Sequence, residues 1–247
     1  MRVVISQPTY LPWIGYFDLI DQADRFIILD CVQFERRSWQ QRNRIKFCGG
    51  LQWLTVPAKT RGRLGQLIRE VEISDPDFCN DHARAIELAY RRAPYFEPYY
   101  SQLSGLLEAH GKGLLLELNL ALIRWICAEL QIRTPIVVAS DLQQPGKRTE
   151  LLANLSASQG ASEYLSPAGS AAYLLAEEET MRRRGIQVVF HHYQHPVYRQ
   201  NFPPFEPFAS VIDLMFNEGP RSYEILLSGR KEGLSPEQMS VLAASAG

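Results

Sequence analysis

The sequence predicts an α/β fold: a mostly parallel sheet flanked by helices, with a helical lobe inserted around residues 75–132. Three observations carry this. The short apolar runs Val3-Val4-Ile5, Phe26-Ile27-Ile28-Leu29 and Ile136-Val137-Val138-Ala139 have the make-up of strands buried on both faces. Helical segments separate such runs, and a helix between two buried strands is the crossover of a parallel pair. A chain of 247 residues, 46% hydrophobic and 11% aromatic, suffices for one such domain with a solid core. The expected organisation is a single domain over residues 1–230, followed by a small, polar, loosely ordered tail over 231–247.

The elements follow in order. Met1 to Asp30 reads as strand, loop, helix and strand, the helix falling within Phe17 to Ala23. Pro8 and Pro12 stiffen the loop, and Gly15 would let a ligand or a second backbone approach closely. Gln7 offers an amide; Tyr10, Trp13 and Tyr16 offer flat faces with polar tips. Ligands of open α/β sheets sit at the carboxyl ends of strands, so Gln7 to Gly15 is the first candidate for a binding site. The alternative is a Pro-rich connection whose aromatics cap the core.

Arg36, Arg37, Arg42, Arg44 and Lys46 are interleaved with Trp39 and Asn43. Such a run is either a solvated loop or a set of guanidinium forks and rings able to grip an anion beside a flat group. Trp53 to Pro57 reads as a strand entered from a Gly49-Gly50 turn, and Ile68 to Ile73 as a short half-buried strand. Asp75-Pro76-Asp77 opens a helical region: a helix to Tyr90, a break at Ala93-Pro94-Tyr95, a helix over Phe96 to Leu107, and a strongly periodic helix over Leu114 to Leu130. After Ile136 to Ala139, a polar loop holding Lys147 and Arg148 leads into a helix ending at Gly160. Glu163 to Ser166 is a strand, Tyr173 to Arg184 a helix, and Ile186 to Phe190 another strand.

Composition excludes several classes. A net charge of -1 gives no global electrostatic case for nucleic acid. No apolar run approaches the ~20 residues of a membrane span, and the first residues form a strand without signal-peptide regions. Cys31, Cys48, Cys79 and Cys127 are widely spaced, which fits reduced thiols in a cytoplasmic protein. His191, His192 and His195 suggest metal, but adjacent histidines on a strand face opposite sides, so no metal site is expected.

Several stretches together resemble the WbqC-like family of bacteria. They are Gln7-Pro8 with Pro12 and Gly15-Tyr16-Phe17; Arg42-Asn43-Arg44-Ile45; Trp53 to Pro57; and Tyr90 with Ala93-Pro94-Tyr95-Phe96. Tyr164-Leu165-Ser166 with Tyr173, then Tyr193, Pro196, Tyr198 and Gln200, and Ser210 with Ile212 to Gly219, complete the series. Each piece is short; their order over roughly residues 1 to 225 is specific. Cys31 is a departure, since relatives often carry a second acidic residue after Asp30. The family takes its name from a gene of an O-antigen cluster, and members occur among genes for surface polysaccharides and specialised products. The resemblance therefore implies a role in making or decorating such a molecule and fixes no reaction.

The expected function is a transferase of surface-polysaccharide or specialised-metabolite biosynthesis, joining a small activated group to an amino-sugar-like or other polar acceptor. Gln7, Tyr16, Asn43 and Arg44 are expected to line one pocket, because loops after parallel neighbouring strands emerge at the same sheet end. The alternative pairs Arg44 internally with Asp24 or Asp30. Tyr164, Ser166, Tyr198 and Gln200 extend the substrate set as phenols, hydroxyls and amides suited to a sugar or amino acid. Ser140, Lys147 and Arg148 would hold the phosphate or carboxylate of a nucleotide- or phosphate-activated donor. His82 is the general-base candidate, with a hydrogen-bonded core histidine as its alternative; Asp213 would orient a positive partner or cap a helix end. No cofactor is assigned. Two other readings stand: a non-catalytic ligand-binding or scaffold protein of a glycan assembly pathway, and a degenerate nucleotidyltransferase-like protein. The last rests on a loose similarity of Pro12 to Tyr16 to the HxGH loop, whose histidine positions hold Pro12 or Trp13 and Tyr16 here.

Overall fold

The computed structural model describes residues 1–245. Five strands form one sheet: β1 (Arg2–Ser6), β2 (Arg25–Ile28), β5 (Ile136–Val138), β6 (Glu163–Ser166) and β7 (Gln187–Phe190). Their order is β5-β2-β1-β6-β7, and every pairing is parallel. The expected α/β sheet is thus present, with β1 at its centre. Alternation along β1 explains its burial on both faces: Val4 points into one core and Val3 and Ile5 into the other.

The helix α1 (Ile14–Asp21) crosses from β1 to β2 over the first face. The three helices α5 (Arg148–Ser158), α6 (Ala171–Leu174) and α7 (Glu178–Arg182) cover the second, through Leu151, Leu155, Leu174 and Met181. The single helix expected over Tyr173 to Arg184 is broken in two, with Glu177 leaving helical geometry at the N-cap of α7.

Residues between β2 and β5 form the inserted lobe. It contains α2 (Phe78–Tyr90), α3 (Phe96–His110) and α4 (Leu115–Glu129), as the periodicity predicts. It also contains an antiparallel hairpin of β3 (Arg42–Phe47) and β4 (Gly50–Thr55). The lobe does not stand beside the sheet. Ile45, Ile86, Leu103 and Leu122 share one core with Phe17 and Phe26 on the α1 face. Ile68 to Ile73 is not a strand; it forms a 3-10 turn over Ile68–Glu70, with single bridges at Glu72 and Ile73.

Two further helices, α8 (Val211–Glu218) and α9 (Ser222–Ser228), close the first face. The stretch expected as a loose tail carries α10 (Pro236–Ser245), and its Met239 is buried in the same core as Phe190. Ala246 and Gly247 of that tail lie outside the described residues.

Candidate functional site

The chain leaves β1 toward β2 and β5 on one side, then returns to lay β6 and β7 on the other. The two loops that follow β1 and β6 diverge, and a crevice opens between them, where open α/β sheets take their ligands. This crevice has a volume of about 450 Å³. Ser6, Gln7 and Thr9 line it from the β1 side, and Pro167, Gly169 and Ser170 from the β6 side. Tyr164 and Tyr173 add phenols; Glu35, Ser38 and Gln40 add polar groups from the segment after β2.

Local bonds fix this wall. The Gln40 amide donates to Gln7 Oε1 at 2.8 Å, while Gln40 Oε1 accepts from the Glu35 backbone at 3.2 Å. Asn119 of α4 holds the Gln40 carbonyl at 2.8 Å. Burial holds the Tyr164 phenol well above its ordinary pKa, so it stays protonated at neutral pH.

A second cavity of about 260 Å³ adjoins the crevice, sharing Thr9 and Trp39 as a wall. Its other lining residues are Trp13, Tyr16, Arg44 and Phe208. Four aromatic side chains therefore surround one guanidinium. Arg44 lies 5.5 Å from the ring centres of both Trp39 and Trp53, and Arg42 lies 4.1 Å over Trp53. Trp39 and Trp53, 5.2 Å apart, are 47% and 41% exposed, so this stack faces solvent. Among the described residues Arg44 makes no ion pair, and its buried Nε has no hydrogen-bond partner. The internal pairing with Asp24 or Asp30 is not what the structure contains.

Gly15 acts differently from the sequence expectation. A Cβ there would meet the Trp13 indole at 2.2–2.7 Å. The close approach that glycine permits is made by the ring of Trp13 itself, which folds back over the start of α1 and becomes a wall of the cavity. The ring is flanked by Phe208 at 5.3 Å, which lines the same cavity, and by Tyr193 at 5.7 Å.

Of the four residues expected to line one pocket, the structure places only Tyr16 and Arg44 in the same cavity. Tyr16 and Arg44 line the aromatic cavity, Gln7 the adjoining crevice, and the Tyr16 hydroxyl donates to the Gln7 carbonyl at 3.0 Å. Asn43 lines neither. Its amide is buried and donates to the carbonyls of Tyr10 and Leu11 at 3.2 and 2.8 Å, clamping the β1 loop onto β3 where Leu11 has a φ of 41°. The Ser210 N–H completes the clamp by donating to the Arg44 carbonyl at 2.7 Å, as the Val211 N–H does to Pro12 at 2.9 Å.

Other candidates lie elsewhere. His82 is buried under α2, with Nδ1 2.8 Å from the Tyr10 hydroxyl; burial lowers its pKa to about 4 although a backbone bond to Thr55 pulls the other way. Asp213 is fully buried: its Oδ2 accepts from Tyr198 at 2.8 Å and from Gln200 at 2.9 Å, and burial raises its pKa. Gln200 also closes a loop with the backbone of Glu206, whose carboxylate pairs with the buried Lys46 at 3.0 Å. Tyr198, Gln200 and Asp213 thus form an interior network. Ser166 is buried beside the crevice, donating to the Pro167 carbonyl at 3.2 Å. Neither His82 nor Asp213 lines the crevice or the aromatic cavity.

The donor candidates sit at the β5 edge. The Ser140 N–H donates to Asp30 Oδ1 at 2.9 Å, Lys147 is the N-cap of α5, and the exposed Arg148 pairs with Glu177 at 3.3 Å. None of the three lines the two cavities. His191 bonds Asp18 at 2.7 Å and His195 the Pro196 carbonyl at 2.8 Å. Among the described residues no three His, Cys, Asp or Glu side chains are grouped to hold a metal ion.

Sequence reasoning missed Thr9, Phe208, Tyr173 and the Glu35-Ser38-Gln40 wall. Trp39 carried a usable signal, an indole between arginines. Phe208 carried none, since it reaches the cavity from a segment far along the chain.

The model of the WbqC-like protein family matches residues 7–225. An uncharacterized protein of Mycobacterium tuberculosis (strain ATCC 25618 / H37Rv), Rv1507c, is 39% identical over 227 residues, covering 91% of this chain and 97% of its own length. No solved structure matches the chain.

Proposed function

The chain belongs to the WbqC-like protein family, and from that premise we propose that it is a transferase of surface-polysaccharide or specialised-metabolite biosynthesis acting on a small polar acceptor. The observation that carries the proposal is the pair of adjoining cavities that share the Thr9–Trp39 wall. A transferase needs donor and acceptor side by side, and two cavities with different chemistry supply that arrangement.

The polar crevice suits the acceptor. Ser6, Gln7, Ser38 and Tyr173 offer donors and acceptors to hydroxyls, and the exposed Glu35 offers a carboxylate to an amine, as in an amino sugar. The aromatic cavity suits the anionic end of the activated donor. Arg44 cannot deprotonate, has no internal counter-charge, and stands beside indole faces on which a flat ring can stack. Glu35 is the carboxylate at the crevice able to take the proton of an attacking amine or hydroxyl. His82 and Asp213 are here given positioning roles: His82 fixes the Tyr10 end of the loop, and Asp213 the Tyr198–Gln200 segment.

The test is a product search. Purified protein is incubated with nucleotide-activated donors and amino-sugar acceptors, and new masses are followed by mass spectrometry. The proposal expects a product that needs both partners and disappears in Arg44→Ala. Saturable binding of the same compounds with no new mass would replace the transferase by a ligand-binding protein.

A further inference from the structure

A third cavity, of about 290 Å³, lies away from the crevice, where the C-terminal end of α2 meets the segment around residue 200. Arg91 and Arg92 line it from the helix end, and Arg199 from the facing segment. None of the three guanidiniums has a carboxylate partner among the described residues. No acidic residue lines the cavity; the nearby Glu218 is engaged by the Arg199 backbone at 3.2 Å and by Arg221 at 3.5 Å.

We propose that this cavity is a binding site for a small polyanion of the pyrophosphate class, held by Arg91, Arg92 and Arg199. Arginines after a helix C-terminus complement its dipole, which explains Arg91 and Arg92 without a ligand. It does not explain Arg199, which comes from another segment and is brought against its two like charges. Each guanidinium carries a full charge, whereas the helix end supplies roughly half a negative charge. The surplus calls for more than one negative charge, and forked donors suit phosphate oxygens.

The site is built before any ligand arrives. The Asn201 amide donates to the Ala89 carbonyl at 3.3 Å, clipping the segment to the helix. Phe202 packs on Phe47 with ring centres 6.1 Å apart and forms the apolar side of the cavity. Phe47 ends β3, the strand that also carries Arg44.

Isothermal titration with inorganic pyrophosphate at low and moderate salt tests the proposal. Wild-type protein should bind saturably, more weakly as salt rises. The double variant Arg92→Ala/Arg199→Ala should lose at least about tenfold in affinity, because forked charge-assisted bonds are removed; Arg182→Ala, at an exposed arginine that lines none of the three cavities, should bind as wild type. All three arginines are exposed at the surface, so the variants should fold, which circular dichroism checks. Absence of saturable binding to wild type up to millimolar pyrophosphate would overturn the site. So would undiminished binding by the double variant, or an equal loss of binding in Arg182→Ala.

Discussion

Arg44 and Asp213 are both ionisable groups buried at least in part, and both lie close to β3, yet their surroundings differ in kind. Asp213 is ringed by groups of its own chain: the Tyr198 hydroxyl and the Gln200 amide on one oxygen, with Tyr90 and Lys46 close by. Arg44 is ringed by indoles and phenyl groups that lower no charge, and it opens onto a cavity. A carboxylate with one oxygen bonded twice from within, its Oδ1 left without a partner but bordering neither the crevice nor the aromatic cavity, is architecture. A guanidinium left without a counter-charge at a cavity wall is an invitation to an anion, since unpaired charge is costly to keep away from water.

The contrast breaks first at Asp213. Asp213→Ala strips a partner from the buried Tyr198 hydroxyl and the half-buried Gln200 amide and should cost about 4 kcal/mol of stability, read by urea denaturation. Stability close to wild type, with ligand binding lost instead, would move Asp213 into the site and erase the distinction. Arg44→Ala should behave oppositely. Ligand affinity should fall by ~2 to 4 kcal/mol while the unfolding midpoint barely moves, because the anion and not the fold loses its partner. A large fall in midpoint without ligand would give Arg44 an architectural role after all.

A pH titration sharpens the same point at His82. Its folded pKa of about 4 lies below the unfolded value of ~6.5, so the unfolded chain takes up the proton first. The stability contributed by the neutral ring is complete above pH ~6.5 and is lost as pH falls toward 4, amounting to roughly 3 kcal/mol. Asp213, with its raised pKa, acts in the reverse sense over the acid range. Comparing wild type with His82→Gln isolates the histidine; equal acid slopes in the two proteins would remove it as the cause. The smallest effect is expected at Gly15. Gly15→Ala must swing the Trp13 ring off α1, costing about 1 to 2 kcal/mol of packing. A ring displaced into the aromatic cavity should lower affinity along with stability, and a crystal structure of the variant would show which way the indole turns.

Much of the fold could be read in advance because the parallel strands carry short apolar runs, buried on both faces at β1 and β2 and half-buried at the edge strand β5, a pattern polar loops do not imitate. β3 escaped because Arg42-Asn43-Arg44-Ile45-Lys46 looks like a solvated charge run. In the structure Ile45 enters the core, Lys46 is buried on Glu206, Asn43 serves backbone carbonyls, and the two arginines lie against indoles. Lys46 meets its carboxylate far along the chain, and the arginines meet indoles on β4 and in the segment before β3, none of which periodicity registers. The same holds for the site. Gln7, Tyr16 and Tyr164 were accessible because they flank strand ends; Phe208 and the Gln40 relay depend on tertiary approach alone. Tyr198, Gln200 and Asp213 have the residue types of a binding site and are spent on one another instead.

The centre of the sheet has a consequence for how the chain comes to be folded. β1 is made before the other strands of its sheet, and its neighbour on one side, β2, follows after a single short helix. Its other neighbour, β6, begins only at Glu163. During synthesis at ~5 to 20 residues per second, β1 must therefore wait many seconds with one apolar edge unpaired. Pairings of such long sequence separation also slow folding in general. A nascent chain halted ahead of Glu163 would present the Val3-Val4-Ile5 edge as a template for other chains, so the molecule's most sheltered strand is, for part of its history, its most adhesive one.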